Sequence, residues 1–345
     1  YSGDRLLRNA QRAAQSFGAS VLVPLFVLCV TPLTMYPSLM SGLALLFATA
    51  AGSLPYYFSG VAIGALLTRG KLPIGRMYAA DLLGAATGCL VGLGALSVVD
   101  APSVIILCGA LGLLAAMFLG GDARGTTPRK QLGLAALALL ALAGANASTK
   151  YGIRPMMVKG KLLTPADYVA ERWNSISRVV ALRESEVEPP YWGPSPLAPK
   201  TPTRFYAMNI DGDAATAALR ADEPEDVDYL KFDVTNIVHA LRPRGPLCVI
   251  GVGGGRDIWS GLVFGHEQVT GIEVNPIFVE LLEGEFRNYT RLAGRPDVRL
   301  QVDEARSYLA RSSESFDVVQ MSLIDTWAAT GAGAFSFSEN GLYTV

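Results

Sequence analysis

The chain has 345 residues, half of them hydrophobic and only 17% charged, with a mean hydropathy of +0.32. Such averages exclude a disordered chain and an acidic tail protein, and they differ from those of a typical soluble enzyme of this length. The net charge of −1 conceals two opposite halves: residues 1–149 carry nine Lys or Arg and four Asp, whereas residues 150–345 carry twenty basic and twenty-six acidic residues. A sparsely charged basic region followed by a charged acidic one reads as a membrane region of residues 1–149 and a soluble part beyond it.

No charged residue occurs from Phe17 to Thr68, a run far longer than the apolar core of a secretory signal. Five segments are apolar enough to enter or span a bilayer, at about 17–36, 43–68, 77–98, 101–120 and 131–148, and the fifth is short. The stretch Asp4 to Phe17 sets Leu6, Leu7, Ala10, Ala13 and Ala14 among arginines. It reads either as a helix on the membrane surface or as a helical lead-in to the first span. Pro24, Pro32 and Pro55 mark kinks or helix ends.

Basic residues set an orientation. Arg5, Arg8 and Arg12 precede the first span; Arg69, Lys71 and Arg76 lie between the second and third; Arg124, Arg129 and Lys130 lie between the fourth and fifth. The positive-inside rule places these three groups in the cytoplasm. A fifth complete crossing then puts the soluble part outside, yet Lys150, Arg154, Lys159 and Lys161 follow the fifth segment and argue for a cytoplasmic exit. The conflict is resolved by a re-entrant or interfacial fifth segment, by a missing span, or by a soluble part that is external.

Asp81, within Tyr78 to Gly88, is the one intramembrane carboxylate that stands out. Such a group is expensive and normally faces protein or water; here it reads as a partner for Arg76 or a helix cap, with a transport role as the alternative. Ala80, Gly84 and Gly88 form a small-x-x-x-small stripe that favours close helix packing. Cys29, Cys89, Cys108 and Cys248 have neither metal-ligand nor redox spacing and read as small hydrophobes. With only His239 and His266 besides, no metal site is expected.

The soluble part opens with a basic connector, 150–170. Strand character at 179–182 and 204–210, with Asn209-Ile-Asp-Gly-Asp213 as a hairpin turn, gives a small antiparallel β subdomain over 171–220. Glu188 to Thr203, with six prolines, is a long loop or an ordered flap, and Asp226 to Leu241 is expected to be helical. Residues 221–345 then carry a doubly wound α/β pattern. Pro246 to Ile250 is a buried strand, followed at once by Gly251-Val-Gly-Gly-Gly-Arg-Asp257 and a helix at 256–264. Strands at 268–274, 298–302 and 316–321 alternate with helices at 276–288 and 304–311.

A glycine turn between strand and helix lets a ligand approach the backbone and meets it with N–H groups. Gly251, Gly253, Gly254, Gly255 and Asp257 are therefore candidates for a cofactor site. Glu273, ending the second strand, is placed to accept hydrogen bonds from ribose hydroxyls. Asp303, ending the third, suits an adenine amino group or a helix N-cap. The turn lacks Gly-Lys-Ser/Thr and is not a phosphate-binding Walker loop. The spacing alone does not separate a nicotinamide from an S-adenosyl ligand.

These residues carry a family resemblance. Val249-Ile-Gly-Val-Gly-Gly-Gly-Arg-Asp257, Gly271-Ile-Glu-Val-Asn-Pro276, Asp303-Glu-Ala-Arg306 and Phe316 to Thr326 resemble the spermidine synthase branch of the class I S-adenosylmethionine-dependent transferase fold. Tyr78 to Cys89 is similar to the membrane region of multi-spanning bacterial spermidine synthase-like proteins. The resemblance implies an inner-membrane protein whose Rossmann-like domain binds S-adenosylmethionine or its decarboxylated form, with the glycines at the amino-acid part, Glu273 at the ribose and Asp303 at the adenine. It also implies that the chain stops inside that domain.

One departure bears on chemistry. The family's aminopropyl transfer uses an Asp at the fourth strand's end; Ser322 stands there, and Asp325 matches the second acid of the motif. Ser322 is a poor base without a His or Lys neighbour, so methyl transfer fits better than polyamine synthesis. Trp327 and Phe335 are expected to line the substrate pocket. Because such a donor is made in the cytoplasm, the soluble part is placed on that side. The expected function is a membrane-anchored transferase with a small or amphiphilic acceptor, and the rival is a non-catalytic subunit of a membrane complex or homo-oligomer. Nothing points to nucleic acid: the soluble part is acidic and has no basic patch interleaved with aromatics.

Overall fold

A computed structural model describes residues 3–33, 37–70, 72–120, 126–158, 160–212 and 214–323. Asp325, Trp327 and Phe335 lie outside the described residues. The chain divides into two compact units, Tyr1–Pro165 with Trp173–Ser175, and Ala166–Arg172 with Ile176–Val345.

The first unit is helical. α1 (Gly3–Ser20) and α2 (Leu22–Val30) continue one another across a single irregular residue. They are followed by α3 (Leu39–Arg69), α4 (Ile74–Leu96), α5 (Ala101–Gly120) and α6 (Arg129–Ala147). With α1 and α2 taken together, these make five segments long and apolar enough to cross a membrane. Ser38 starts α3 by accepting the Ser41 N–H at 3.0 Å, and Pro55 is carried inside that helix. Asp4 to Phe17 is a lead-in: Ala14 is buried in one cluster with Leu113 and Ala116 of α5 and Leu132 and Ala136 of α6.

Close helix contact falls elsewhere than the expected stripe. A Cβ at Gly84 or Gly88 would meet nothing within 4 Å, whereas one at Gly18 would lie 2.8 Å from the Gly109 carbonyl and one at Gly112 2.4 Å from the Phe17 ring. The glycines that bring helices together are thus on α1 and α5; α4 buries no residue. Asp81 is partly exposed on α4, and no ion pair with Arg76 forms.

Both ends of α6 are pinned. At its start, Gln11 of α1 clamps Thr127, donating to the carbonyl at 3.1 Å and accepting the N–H at 2.9 Å. At its finish, Asn146 and Arg154 join the buried Asp100, which precedes α5. Asn146 donates to Asp100 (3.2 Å) and Ser103 (2.8 Å), and Arg154 pairs with Asp100 at 3.3 Å. Arg154 also donates to the carbonyls of Asn146 and Thr149 at 3.0 and 2.7 Å, satisfying the orphan end of α6. The Met156 N–H reaches the Cys29 carbonyl near the end of α2 at 2.9 Å. Segment α6 is thus one continuous helix of 19 residues, long and apolar enough to cross a membrane.

Beyond α6 come a two-stranded ribbon, β1 (Met157–Val158) and β2 (Lys161–Leu162), and, in the second unit, two sheets. The first sheet sets β3 (Tyr168–Trp173), β4 (Arg178–Val187), β5 (Thr203–Ile210) and β6 (Ala214–Leu219) side by side in chain order. Asp211 and Gly212, at the β5–β6 turn, have φ of 48° and 88°, as a type I′ hairpin requires.

The second sheet holds β7 (Leu247–Ile250), β8 (Val269–Glu273), β9 (Val298–Val302) and β10 (Val318–Met321), all parallel, in the order β10-β7-β8-β9. Every residue of β7 and β8 is buried, as expected of parallel strands covered on both faces. The connections carry α8 (Arg256–Val263), α9 (Pro276–Glu283) with the short α10 (Arg287–Thr290), and α11 (Ala305–Arg311). Asn275 caps α9 by accepting the Ile277 N–H, with Pro276 in its first turn. One core joins the two sheets, with Phe205, Ala217 and Leu219 packed among Leu247, Val249, Ile258, Trp259 and Leu282.

The helix expected over 226–241 forms differently. Pro224–Phe232 and Val234–Asn236 are 3-10 turns, and only Ile237–Leu241, α7, is α-helical. Asp233 breaks the run: its backbone is extended, and its side chain accepts the Trp192 and Gly193 N–H groups from the preceding loop.

Candidate functional site

The strand order fixes where a ligand belongs. From β7 the chain winds outward through β8 to β9, then returns to the other side of β7 as β10. Adjacent strands whose connections leave in opposite directions open a crevice at their carboxyl ends, the switch point at which doubly wound sheets bind ligands. The Gly251–Gly255 turn follows β7 and Ser322 follows β10, so they flank this crevice. Glu273 ends β8 and Asp303 follows β9 at the same edge.

Gly251, Gly253 and Gly255 have φ of 80°, 50° and 87°, a region that disfavours side chains. Gly254 is required for another reason. A Cβ there would stand 2.3 Å from the Ala217 carbonyl oxygen, because β6 crosses the turn. Thr216 of β6 accepts the Gly254 N–H at 3.0 Å. Glu273 Oε2 accepts the Gly253 N–H at 2.9 Å, and Oε1 accepts the Asn275 N–H at 2.9 Å. Burial pushes the Glu273 carboxyl up, and the backbone N–H groups around it only partly offset this. Asp303 accepts the Glu304 N–H at 2.8 Å and pairs with Arg311. Glu304, not Asp303, caps α11 by accepting the Arg306 and Ser307 N–H groups.

Asp257 belongs to a buried ionic cluster. Arg256 Nη1 meets Asp257 at 3.0 Å, and Nη2 meets Asp233 at 2.6 Å. Asp233 also accepts the N–H groups of Trp192, Gly193 and Thr235 and the Thr235 hydroxyl. Burial alone pushes Asp233 up, but these donors and Arg256 bring it below the ordinary range. The Trp192 and Gly193 bonds hold the proline-rich stretch, which is an ordered flap: Ser195 donates to the Phe232 carbonyl and the Tyr191 hydroxyl to that of Pro199. Burial pushes the Asp257 carboxyl up, and Ser322 and Arg256 moderate this.

Behind Ser322 runs a second polar chain that the sequence did not reveal. Gln320 Nε2 donates to Ser322 Oγ at 3.0 Å. Asn236 Nδ2 donates to the Leu230 carbonyl at 2.8 Å, which turns Asn236 Oδ1 towards Gln320 Nε2 at 3.3 Å and so turns Gln320 Oε1 towards His239. His239 Nε2 is then a donor, and its Nδ1 accepts from His266 Nε2 at 3.1 Å. The Gly245 carbonyl lies 2.6 Å from His266 Nδ1.

Burial, and next the charge of His266, push His239 down to about 4. The folded value is the lower one, so the His239 contribution is present above pH 6.5 and is lost as pH falls towards 4, where the unfolded chain takes up a proton that the native state refuses. The expected loss is about 3 kcal/mol. Denaturant titrations of the wild type and His239→Asn across this window check it; equal pH slopes in the two proteins refute it.

Among the described residues, no group of three or more His, Cys, Asp or Glu side chains could hold a metal ion.

Solved structures similar to the chain include two spermidine synthases. One is a spermidine synthase in complex with the transition-state analogue AdoDATO, at 14% identity and a TM-score of 0.30, with 45% of this chain and 47% of that chain covered. The other is spermidine synthase from Thermotoga maritima, at 15% identity and a TM-score of 0.31, with 47% and 48% covered. The chain thus spans about half the length of these structures. No family model and no curated protein matches it.

Proposed function

We propose that the second unit is a transferase-type module that binds S-adenosylmethionine or its decarboxylated form and is carried by a five-segment region in a bacterial inner membrane. The observation that carries this reading is the switch point, where a glycine turn with three positive φ angles lies against the Glu273 carboxylate. The residues fit the ligand. Each Glu273 oxygen accepts one backbone N–H and keeps a lone pair for a ribose hydroxyl. The turn supplies backbone to the amino-acid part, and Asp303 stands at the neighbouring strand end for the adenine. Bound there, such a donor supplies an electrophilic carbon on a sulfonium sulfur. The chain's own residues bind it, align the acceptor and exclude water.

Calorimetry on the full chain with S-adenosylmethionine, its decarboxylated form and 5′-methylthioadenosine tests the reading. Glu273→Ala removes the charged acceptor of two ribose bonds and is expected to weaken affinity roughly 10- to 100-fold. Unchanged affinity in that variant refutes the ribose assignment, and no binding by the wild type refutes the reading.

A second reading is favoured by one observation. Five helices are long and apolar enough to cross, and five crossings would bring residue 148 out opposite Arg5 to Arg12, away from the compartment in which such a donor is made. A non-catalytic docking subunit of a membrane complex accommodates that placement.

A further inference from the structure

Residues 150–345 are acidic as a whole, yet three arginines line one cavity of about 450 Å³ in the second unit. Arg287 lies in α10, Arg291 ends that helix, and Arg295 stands in the turn before β9. The rest of the lining is uncharged. Two of the guanidiniums are held in place by part of their donors only. Asp297 takes Arg295 Nε and Nη2 at 3.0 and 3.1 Å, and the Trp259 ring lies 5.5 Å from the same group. Arg295 Nη1 is left with the Asp222 carbonyl at 3.5 Å and Glu223 at 4.0 Å. Asp222 takes Arg291 Nε at 3.0 Å, which leaves both Nη atoms of Arg291. This pair is exposed on both sides and weak. Arg291 also has φ of 52°, a backbone conformation that residues other than glycine seldom adopt. Arg287 meets no acid among the described residues. Its guanidinium lies against Gly294, where a Cβ would stand 2.9 Å from Nη2.

We propose that this cavity binds a phosphate group through Arg287, Arg291 and Arg295. A guanidinium is a planar fork of N–H donors that suits two oxygens of one phosphate, which a lysine ammonium does not. Three forks around one cavity suit a tetrahedral dianion, whose oxygens face several directions, better than a flat carboxylate. Arg295 is already fixed by Asp297 and Arg291 by its backbone, so little side-chain freedom remains to be lost on binding. The acids nearby position the arginines without spending the nitrogens that a phosphate needs. Such a group is carried by a soluble phosphate ester or by the headgroup of an anionic lipid. None of the lining residues belongs to the Gly251–Gly255 turn or to the ends of β8 and β9 that carry Glu273 and Asp303, so the site is separate from the crevice and does not depend on the transferase reading.

Arginine modification by phenylglyoxal on the full chain, read residue by residue by peptide mass, tests the site. Inorganic phosphate, added in detergent at constant ionic strength, is expected to slow modification at Arg287 and Arg291 but not at Arg242, which is exposed and outside the cavity. The same reaction is run in lipid discs of phosphatidylcholine alone and of phosphatidylcholine with phosphatidic acid. Protection by inorganic phosphate supports the proposal with a soluble source, and protection by phosphatidic acid alone supports it with a headgroup. Protection by neither overturns it, and so does equal protection of Arg242, which marks a general charge effect. Where protection is seen, its concentration dependence gives the affinity for the protecting phosphate. Arg287→Gln is expected to weaken that affinity roughly tenfold, as the loss of a charge-assisted bond does. Its unfolding midpoint is expected to match the wild type, because no protein acid loses a partner. Gly294→Ala, which pushes Arg287 off the wall, is expected to weaken binding in the same direction. Wild-type affinity in Arg287→Gln overturns the assignment.

Discussion

Arg256→Ala is expected to destabilise the second unit by about 3–5 kcal/mol, the cost of leaving buried carboxylates without their counter-charge. Asp233 is fully buried at its side chain, and Arg256 is the one cation bonded to it. The same guanidinium bonds Asp257 and reaches the Pro190 carbonyl with Nε at 3.3 Å. Its loss therefore loosens the 189–199 flap as well as the turn that opens α8. The pH dependence separates charge from packing. In the wild type, Asp233 lies below its ordinary 3.8 and contributes stability above that pH, lost as pH falls further. In Arg256→Ala the folded carboxylates lie above their unfolded values, so the sign reverses and stability rises as pH falls through the folded values.

Thermal unfolding followed by Trp192 and Trp259 emission reads both effects. Arg256 lies 5.9 Å from the Trp192 ring and Trp259 is fully buried. A variant within 1 kcal/mol of the wild type, or one with the wild-type pH slope, refutes this account. Pairing Arg256→Met with Asp233→Asn is expected to return part of the loss, because it removes one of the two buried carboxylates that the loss of Arg256 leaves without a counter-charge.

How far the sequence discloses this molecule depends on the range of the interaction that shapes each part. The last four apolar segments and the strands of the parallel sheet rest on local apolar runs and form within a few residues of their expected bounds, whereas the first segment, expected at about 17–36, belongs to a helical run over Asp4–Val30. The glycine turn is equally local, although Gly254 turns out to serve the crossing of β6 at Ala217. Elements set by distant partners are hidden. Asp233 ends the helical run expected over 226–241 because its acceptors are spent on Trp192 and Gly193, some forty residues earlier. The His239–His266 pair likewise gains its meaning only through Gln320 and Gly245. The stripe at Ala80, Gly84 and Gly88 shows the converse, since spacing suited to helix contact does not say that a helix will be opposite.

The same distinction bears on the sidedness of the chain. By composition, Arg154 counts as a basic residue after the fifth segment and argues for a cytoplasmic exit. In the structure its charge is matched by Asp100 and its donors are spent on the end of α6, so it is no longer a free orienting charge. Arg5, Arg8, Arg12, Arg69, Arg76, Arg129 and Lys130 all lie at the end of the helices marked by the Gln11–Thr127 clamp, and the positive-inside rule places that end in the cytoplasm. In a cysteine-free background, a membrane-impermeant maleimide added to intact spheroplasts is therefore expected to label Ser148→Cys and not Lys130→Cys, which reacts only after permeabilisation. Both sites are exposed. Labelling of both from one side contradicts a full crossing by α6. Arg154→Ala leaves Asp100 buried and unpaired, at about 3–5 kcal/mol, and frees the carbonyls of Asn146 and Thr149. That variant is expected to lose the all-or-none difference between the two positions. An extracytoplasmic Ser148 favours the docking reading of the second unit, while a cytoplasmic one gives the transferase reading direct access to its donor.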